Sequence, residues 1–403
     1  MRILIVTQYF WPENFKVNDI AFDFVKKGYH VTVLTGIPNY PQGTFFKGYG
    51  FFKRRKECIN GVNIIRVPLF PRRNGSNKYL IANYLSFVFF AFFTVFFKMR
   101  GKYDLVFSHL PSPLTSAIPA VWLKKKLKIP LVIWVLDLWP ESVIANSNIR
   151  NKTLLKLLEK RIDYIYRNSD KILISSKSFK DSIMMKFGVE SHKIEYFPNW
   201  AEDIFTLPKK EQPTPHLPEL PEGFNIMFAG NIGESQDLEA VLRATSLTRE
   251  SNINWVFIGD GRKVAWVKKQ IGERKLTNVY MPGRYPLETM PFLFKQAHAM
   301  LVSLKDKYPF SLTVPAKVQA YMASGKIILG MVNGEAKTLI NESGSGYAVE
   351  AGDFEALAEK ALFVSQYSPA EKIIIEETSR RFYTENFSKS MLFSRLENVF
   401  KSV

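Results

Sequence analysis

One cysteine, Cys58, occurs in 403 residues, so no intrachain disulfide can form and a reducing compartment is the expected setting. The five histidines, His30, His109, His192, His216 and His298, show no paired spacing. HExxH, GxSxG, GxxxxGK[ST] and Asp-x-Asp are all missing. Their absence removes the short signatures of zinc proteases, serine hydrolases, P-loop nucleotidases and acid-paired metal sites, and no metal is expected. Acidic residues are scarce, 37 against 55 lysines and arginines, giving a net charge of +18. Such an excess suits nucleic acid, anionic lipid or a phosphate-rich substrate. Met1 runs directly into RILIVTQYF, without the basic region, apolar stretch and cleavage site of a signal peptide. A cytoplasmic protein is expected.

The first half alternates β-rich runs with helix-length segments. The runs are 2–10, 30–36, 62–68, 104–110, 130–138, 171–176 and 193–199. Near-continuous apolar strands separated by helices predict a parallel sheet covered on both faces. Residues 206–221, TLPKKEQPTPHLPELP, hold five prolines and no periodicity, which reads as a linker. The alternation restarts at 225–231, 254–260, 279–283, 299–304, 326–331 and 347–351, and three helical patterns finish the chain. The expected fold class is α/β: two Rossmann-like, doubly wound domains facing across a cleft. The expected boundaries are 1–204, a linker at 205–222, a second domain at 223–380, and a C-terminal helix at 381–403 packing back on the first. Ligands of such sheets bind at the carboxyl ends of strands.

Residues 87–97, FVFFAFFTVFF, contain seven phenylalanines, and the whole segment 79–97 is free of formal charge. Nineteen residues are long enough to cross a bilayer. The segment lies between two strands of one predicted sheet, however, so both of its ends belong on the same side of any membrane. A buried covering helix explains only part of the apolarity, because the phenylalanines occupy nearly every side of a helix and a sheet covers one. Nearby, FFKGYGFFKRRK (45–56) interleaves rings with cations and PRR (71–73) adds charge. Rings and cations together suit a membrane interface, with a protein partner or a core helix as the other readings. Phe51, Phe52, Arg54, Arg55, Phe87, Phe90, Phe93 and Phe97 are the candidates for membrane or acceptor contact.

Candidate chemistry lies on loops after strands. FAGNIG (228–233) places Gly230, Asn231 and Gly233 where a strand passes to a helix, a turn that lets backbone N–H groups face an anion. FIGDGRK (257–263) repeats the arrangement with Gly259 and adds Arg262 and Lys263, cations suited to a diphosphate. TVPAKVQAYMASGK (313–326) puts Lys317 after Pro315 in the first turn of a helix, where a cation is unfavourable without an anionic partner; a solvent-facing lysine is the plain alternative. In the first half, Glu13, His109, Asp137 and Glu141 follow predicted strands and are candidate catalytic groups. Solvation for Glu13, helix packing for His109 and an N-cap role for Asp137 are the competing readings.

These stretches, with YFWPEN (9–14), TGIPNYPQG (35–43), DLWPES (137–142), MPGR (281–284) and VSLKD (302–306), resemble the retaining glycosyltransferase family 4 of GT-B fold. Within that family the chain is similar to bacterial transferases of O-antigen and capsule assembly, those acting on N-acetyl-L-fucosamine among them. The resemblance implies a UDP-sugar donor, of an N-acetylated or deoxy sugar, bound mainly by the second domain near Gly230, Gly259 and Arg284. It places the diphosphate at Arg262 or Lys263 and Lys317, with no metal and no other cofactor. It implies an acceptor carried on polyprenyl diphosphate, hence peripheral contact with the cytoplasmic face of the inner membrane. Many members carry two glutamates eight positions apart, where this sequence has Leu312 and Ala320. A nucleotide-sugar 2-epimerase on the same fold and a basic nucleic-acid-binding protein are the alternatives; no nucleic-acid recognition motif is present, and no nucleic-acid partner is expected.

Overall fold

RILIV (Arg2–Val6) forms β1, and four of its five residues are buried. The computed structural model describes residues 1–146, 151–206 and 217–403. The chain divides into one unit of Met1–Phe197 with Phe393–Val403, and another of Pro198–Leu392.

In the first unit β1 is joined by β2 (His30–Gly36), β3 (Lys56–Ile59), β4 (Val62–Val67), β5 (Leu105–Leu110), β6 (Leu131–Val135), β7 (Lys171–Ile174) and β8 (Ile194–Tyr196). Their order across the sheet is β3-β4-β2-β1-β5-β6-β7-β8. Every residue of β5 and β6 is buried, as strands covered on both faces require. The order reverses between β1 and β5, and α/β sheets bind ligands at such a switch point. Two departures from the sequence reading have simple causes. The strand expected over 2–10 ends at Val6, because Thr7, Gln8, Tyr9 and Phe10 stay buried after leaving the sheet. The edge strand β3, antiparallel to β4, was not expected, since its charged residues look like loop; charge on an edge deters further pairing.

The second unit holds β9 (Phe224–Asn231), β10 (Ile253–Asp260), β11 (Val279–Gly283), β12 (Ala299–Ser303), β13 (Ile327–Met331) and β14 (Gly346–Val349). All are parallel, in the order β11-β10-β9-β12-β13-β14, so a second switch point lies between β9 and β12. Of the expected linker, 207–216 fall outside the described residues. The helix Pro369–Phe387 stays with the second unit, and the return to the first begins at Phe393 within the helix Lys389–Lys401, later than the expected 381.

The helices of the first unit include α1 (Lys16–Lys26) and α2 (Asn77–Phe93), the latter continued by a π-helical turn, Thr94–Lys98. Together Asn77–Lys98 is long and apolar enough to cross a membrane, and only six of its 22 residues are buried. Its flanking strands, β4 and β5, belong to one sheet, so it does not cross once between them. One side, with Asn83, Ser86, Phe87, Ala91, Thr94 and Val95, faces inward. Phe89, Phe92, Phe93, Phe96 and Phe97 are 40–63% exposed and touch in a chain of ring contacts that ends on Trp122. Phe87 is fully buried and cannot reach a membrane, which corrects its assignment. Phe90 is half-covered by Phe51, 5.2 Å away, and Phe70. Phe52 is 88% exposed, and Arg54 is exposed too. Arg55 is turned inward, its Nε donating to the Arg66 carbonyl at 2.6 Å and its Nη1 to the Phe51 carbonyl at 3.3 Å. Residues 41–103 carry twelve lysines and arginines and one acid, Glu57, and Glu57 is bound to buried Arg66.

Candidate active site

The carboxyl ends of β9 and β10 form the floor of a cavity of about 610 Å³, lined by Gly230, Asn231, Gly259, Asp260, Gly261, Arg284, Tyr285, Lys317 and Tyr321 among others. The floor is bare main chain. Gly259 has φ +144, and a Cβ there would lie 1.9 Å from the Gly230 carbonyl oxygen. Gly261, at φ +156, would place its Cβ 2.2 Å from the Ile232 carbonyl. Only glycine fits such positions, and the backbone is left open to a ligand. Tyr321 braces the end of β9, its hydroxyl bonded to both the N–H and the carbonyl of Ala229 at 3.1 and 3.2 Å.

Lys317 opens the short helix Lys317–Ala323. Its ammonium lies 3.8 Å above the centre of the Phe228 ring and 3.4 Å from Gln236 Oε1, beside the Gly230 turn. No carboxylate among the described residues comes within ion-pair distance of it. The residue keeps some contact with solvent, yet desolvation brings its pKa down from 10.5 to about 7. A cation stripped of water, without a counter-charge and facing an exposed main-chain floor, is a site for an anion.

Five of the nine expected donor-site residues meet at this cavity: Gly230, Asn231, Gly259, Arg284 and Lys317. The other four do not. Lys263 is held by Glu234 at 2.8 Å and covers Trp266. Gly233 lines a separate recess together with Glu234, Lys263 and Trp266. Arg262 is exposed and outside the cavity lining. Pro315 precedes the lining residue Ala316 without lining the cavity itself. The sequence reading missed Tyr285 and Tyr321; the second lies four positions beyond Lys317, one helical turn along, a spacing that marks a shared face.

The first unit gathers groups at its own switch point. Glu13 is 2% exposed, and its carboxylate accepts backbone N–H groups of Tyr40 at 2.7 Å, Asn39 at 2.8 Å and Phe10 at 3.3 Å. Burial raises its pKa to about 7 against the pull of those bonds. It is neither solvated nor free to react: it ties two loops together. His109, 1% exposed, sits 3.3 Å from Thr7 Oγ1 between the rings of Phe15 and Trp134. Desolvation pushes its pKa down to about 3, so the imidazole stays neutral. Asp137, just past β6, is half-buried with its pKa raised to about 7 by desolvation. Glu141 receives Lys186 on Oε1 at 2.9 Å. Among the described residues no cluster of three or more His, Cys, Asp or Glu is arranged to hold a metal ion.

Residues 17–202 match the family model described as Glycosyltransferase Family 4, and residues 223–366 match that of Glycosyl transferases group 1. The chain belongs to the family 4 glycosyltransferases of GT-B fold. This glycosyltransferase is 29% identical to WbjE of Pseudomonas aeruginosa, itself described as a glycosyltransferase, over 72% of the present chain and 73% of that protein. It is 23% identical to the Escherichia coli K12 protein WcaI, described as a colanic acid biosynthesis glycosyl transferase, over 94% and 96% of the two chains. Among solved structures, HepE of Anabaena in complex with UDP superposes with a TM-score of 0.70 at 12% identity, over the full length of both chains.

Proposed function

We propose that this glycosyltransferase takes a sugar from a UDP-sugar and moves it, with retention of anomeric configuration and without a metal, to a saccharide carried on polyprenyl diphosphate in surface-polysaccharide assembly at the cytoplasmic membrane face. The observation that carries the reading is Lys317, whose desolvated ammonium has no acidic partner among the described residues and faces a floor of glycine backbone. Glycosyl transfer from a nucleotide needs negative charge stabilised on the departing diphosphate as the bond to the sugar breaks. Lys317 supplies it in the interior, and Arg284, exposed on the lining, adds charge at the mouth. The complex of HepE with UDP supports a uridine donor, and the colanic acid role of WcaI supports a polysaccharide product. The exposed rings of α2, in a stretch with twelve cations and one acid, support an acceptor presented at a membrane. Half-buried Asp137 orients the acceptor hydroxyl and the leaving phosphate takes its proton, while His109, sealed between Phe15 and Trp134, packs the wall behind it. A thermal-shift screen with UDP-, GDP- and dTDP-sugars tests the donor, because a ligand that binds the folded state raises its midpoint. UDP-sugars are expected to stabilise the protein and to lose that effect in Lys317→Ala. A screen in which no nucleotide moves the midpoint would overturn the reading, and an epimer formed from nucleotide sugar alone would replace transfer by 2-epimerisation.

A further inference from the structure

Arg72 stands in the loop before α2, and the fold goes to some length to fix it. Its backbone N–H donates to Asn39 Oδ1 at 3.1 Å. Asn39 is fully buried and is held in turn by Glu13, through its own N–H at 2.8 Å. Asn83, on the inner side of α2, donates to Asn39 Oδ1 at 3.3 Å and to the Phe70 carbonyl at 2.6 Å, while Gln8 Nε2 donates to Asn83 Oδ1 at 2.7 Å. The buried polar side chains Gln8, Glu13, Asn39 and Asn83 thus do one job in common: they set the loop that carries this arginine. The Arg72 guanidinium then lies over the rings of Tyr40 and Tyr9 at 5.0 and 5.8 Å, and its Nη1 donates to Tyr9 Oη at 3.3 Å. The Tyr84 hydroxyl, from α2, lies beside that of Tyr9.

Glu13 is consumed by backbone N–H groups and Asp137 acts on Tyr84 only through space, so neither neutralises the guanidinium. Among the described residues no acid comes within ion-pair distance of Arg72, although its orientation is fixed from three sides. An arginine positioned this firmly, with donors left over and phenol hydroxyls beside it, matches the tetrahedral oxygens of a phosphate. The same helix that carries Tyr84 also carries the exposed rings. Tyr84 and the exposed Phe92 are eight residues apart on α2, about 12 Å at the rise of an α-helix and within about a quarter-turn of each other around it. The path from polar head to exposed rings therefore runs along one element.

We propose that Arg72, Tyr84 and Tyr40 frame a phosphate subsite in the first unit, which holds the diphosphate of an amphiphilic acceptor while its hydrocarbon leaves along the exposed phenylalanines of α2. The inference rests on the glycosyl-transfer reading and sharpens it by giving the acceptor's head and tail separate places. The Lys317 cavity serves the donor, so the two anion sites belong to different substrates.

The test measures binding to the full-length protein already saturated with UDP, by calorimetry, with geranyl diphosphate, geraniol and inorganic pyrophosphate as probes. Geranyl diphosphate is expected to bind wild type and to lose at least about tenfold in Arg72→Ala, the cost of one charge-assisted contact. Arg72→Lys is expected to fall between, because an ammonium keeps the charge and loses the planar fork. Pyrophosphate is expected to bind more weakly with the same dependence on Arg72, which separates the headgroup's contribution from the tail's. Equal affinity in wild type and Arg72→Ala overturns the subsite, as does geraniol binding as tightly as its diphosphate. Loss of UDP stabilisation in Arg72→Ala also overturns it, by assigning the arginine to the donor, whereas retained stabilisation shows that the variant is folded. Should UDP fail to bind even wild type while geranyl diphosphate still depends on Arg72, the donor reading falls and the subsite stands.

Discussion

Glu13 in the first unit and Lys317 in the second are both charged groups withdrawn from water next to a switch point. Glu13 has three backbone N–H partners within its own unit, and its charge is consumed in holding loops together. Lys317 has an aromatic face and one amide oxygen, which do not neutralise it. Burial alone therefore says little about function. What separates an architectural charge from a ligand-directed one is whether the protein supplies the counter-groups.

The largest expected effect is at Lys317. Removing it as Lys317→Ala should lower turnover about a hundredfold, the size typical of losing one group that stabilises developing charge, with the fold intact by circular dichroism. Lys317→Met should leave thermal stability equal or higher, since it deletes an unpaired desolvated charge. The pH dependence follows from a pKa that falls from 10.5 to about 7 on folding. Between these values the unfolded chain holds the extra proton, so this group makes the empty protein more stable as pH rises from 7 towards 10.5. The slope should shrink in Lys317→Met. Calorimetry should show UDP binding weakening over the same range, because the amine must be charged to receive the diphosphate.

A smaller effect is expected at Glu13. In Glu13→Ala three buried N–H groups lose their acceptor, costing roughly 2 kcal/mol by urea unfolding, while UDP stabilisation stays as in wild type. Glu13→Gln keeps one carbonyl oxygen for Asn39 and Tyr40 and should cost less. If Glu13→Ala abolished UDP binding, the division between architectural and ligand-directed charge would collapse. The smallest effect is expected at Lys263. Its partner Glu234 is 65% exposed, and such pairs contribute under about 1 kcal/mol. Activity of Lys263→Ala should stay within about twofold of wild type, and a larger loss would return Lys263 to the donor site.

Parallel strands were readable in the sequence because burial on both faces leaves unbroken apolar runs, as in β5 and β6. β3 was not, because an exposed edge strand carries no such run. Lys317 was readable from its place after a proline at a helix start, where a lone cation is out of keeping with the local field. Arg72 was not, since its meaning depends on Asn39 and Tyr9, thirty-three and sixty-three residues away in the chain. Phe87 was misassigned for a different reason. With apolar residues around the whole of α2, periodicity gave no phase, and only the inward amides and hydroxyls at Asn83, Ser86 and Thr94 show which side meets the sheet.

The crossing at Phe393 bears on how the molecule is made. Phe400 packs 5.3 Å from Phe24 and 5.2 Å from Phe107, and Glu397 receives the Tyr29 hydroxyl at 2.7 Å. These contacts close the hydrophobic interior begun by α1 and β5, yet the ribosome delivers them only after all 195 residues of Pro198–Leu392. The first unit to be synthesised is thus the last to be completed, and during translation Phe24 and Phe107 wait uncovered while the later unit already has everything it needs to fold.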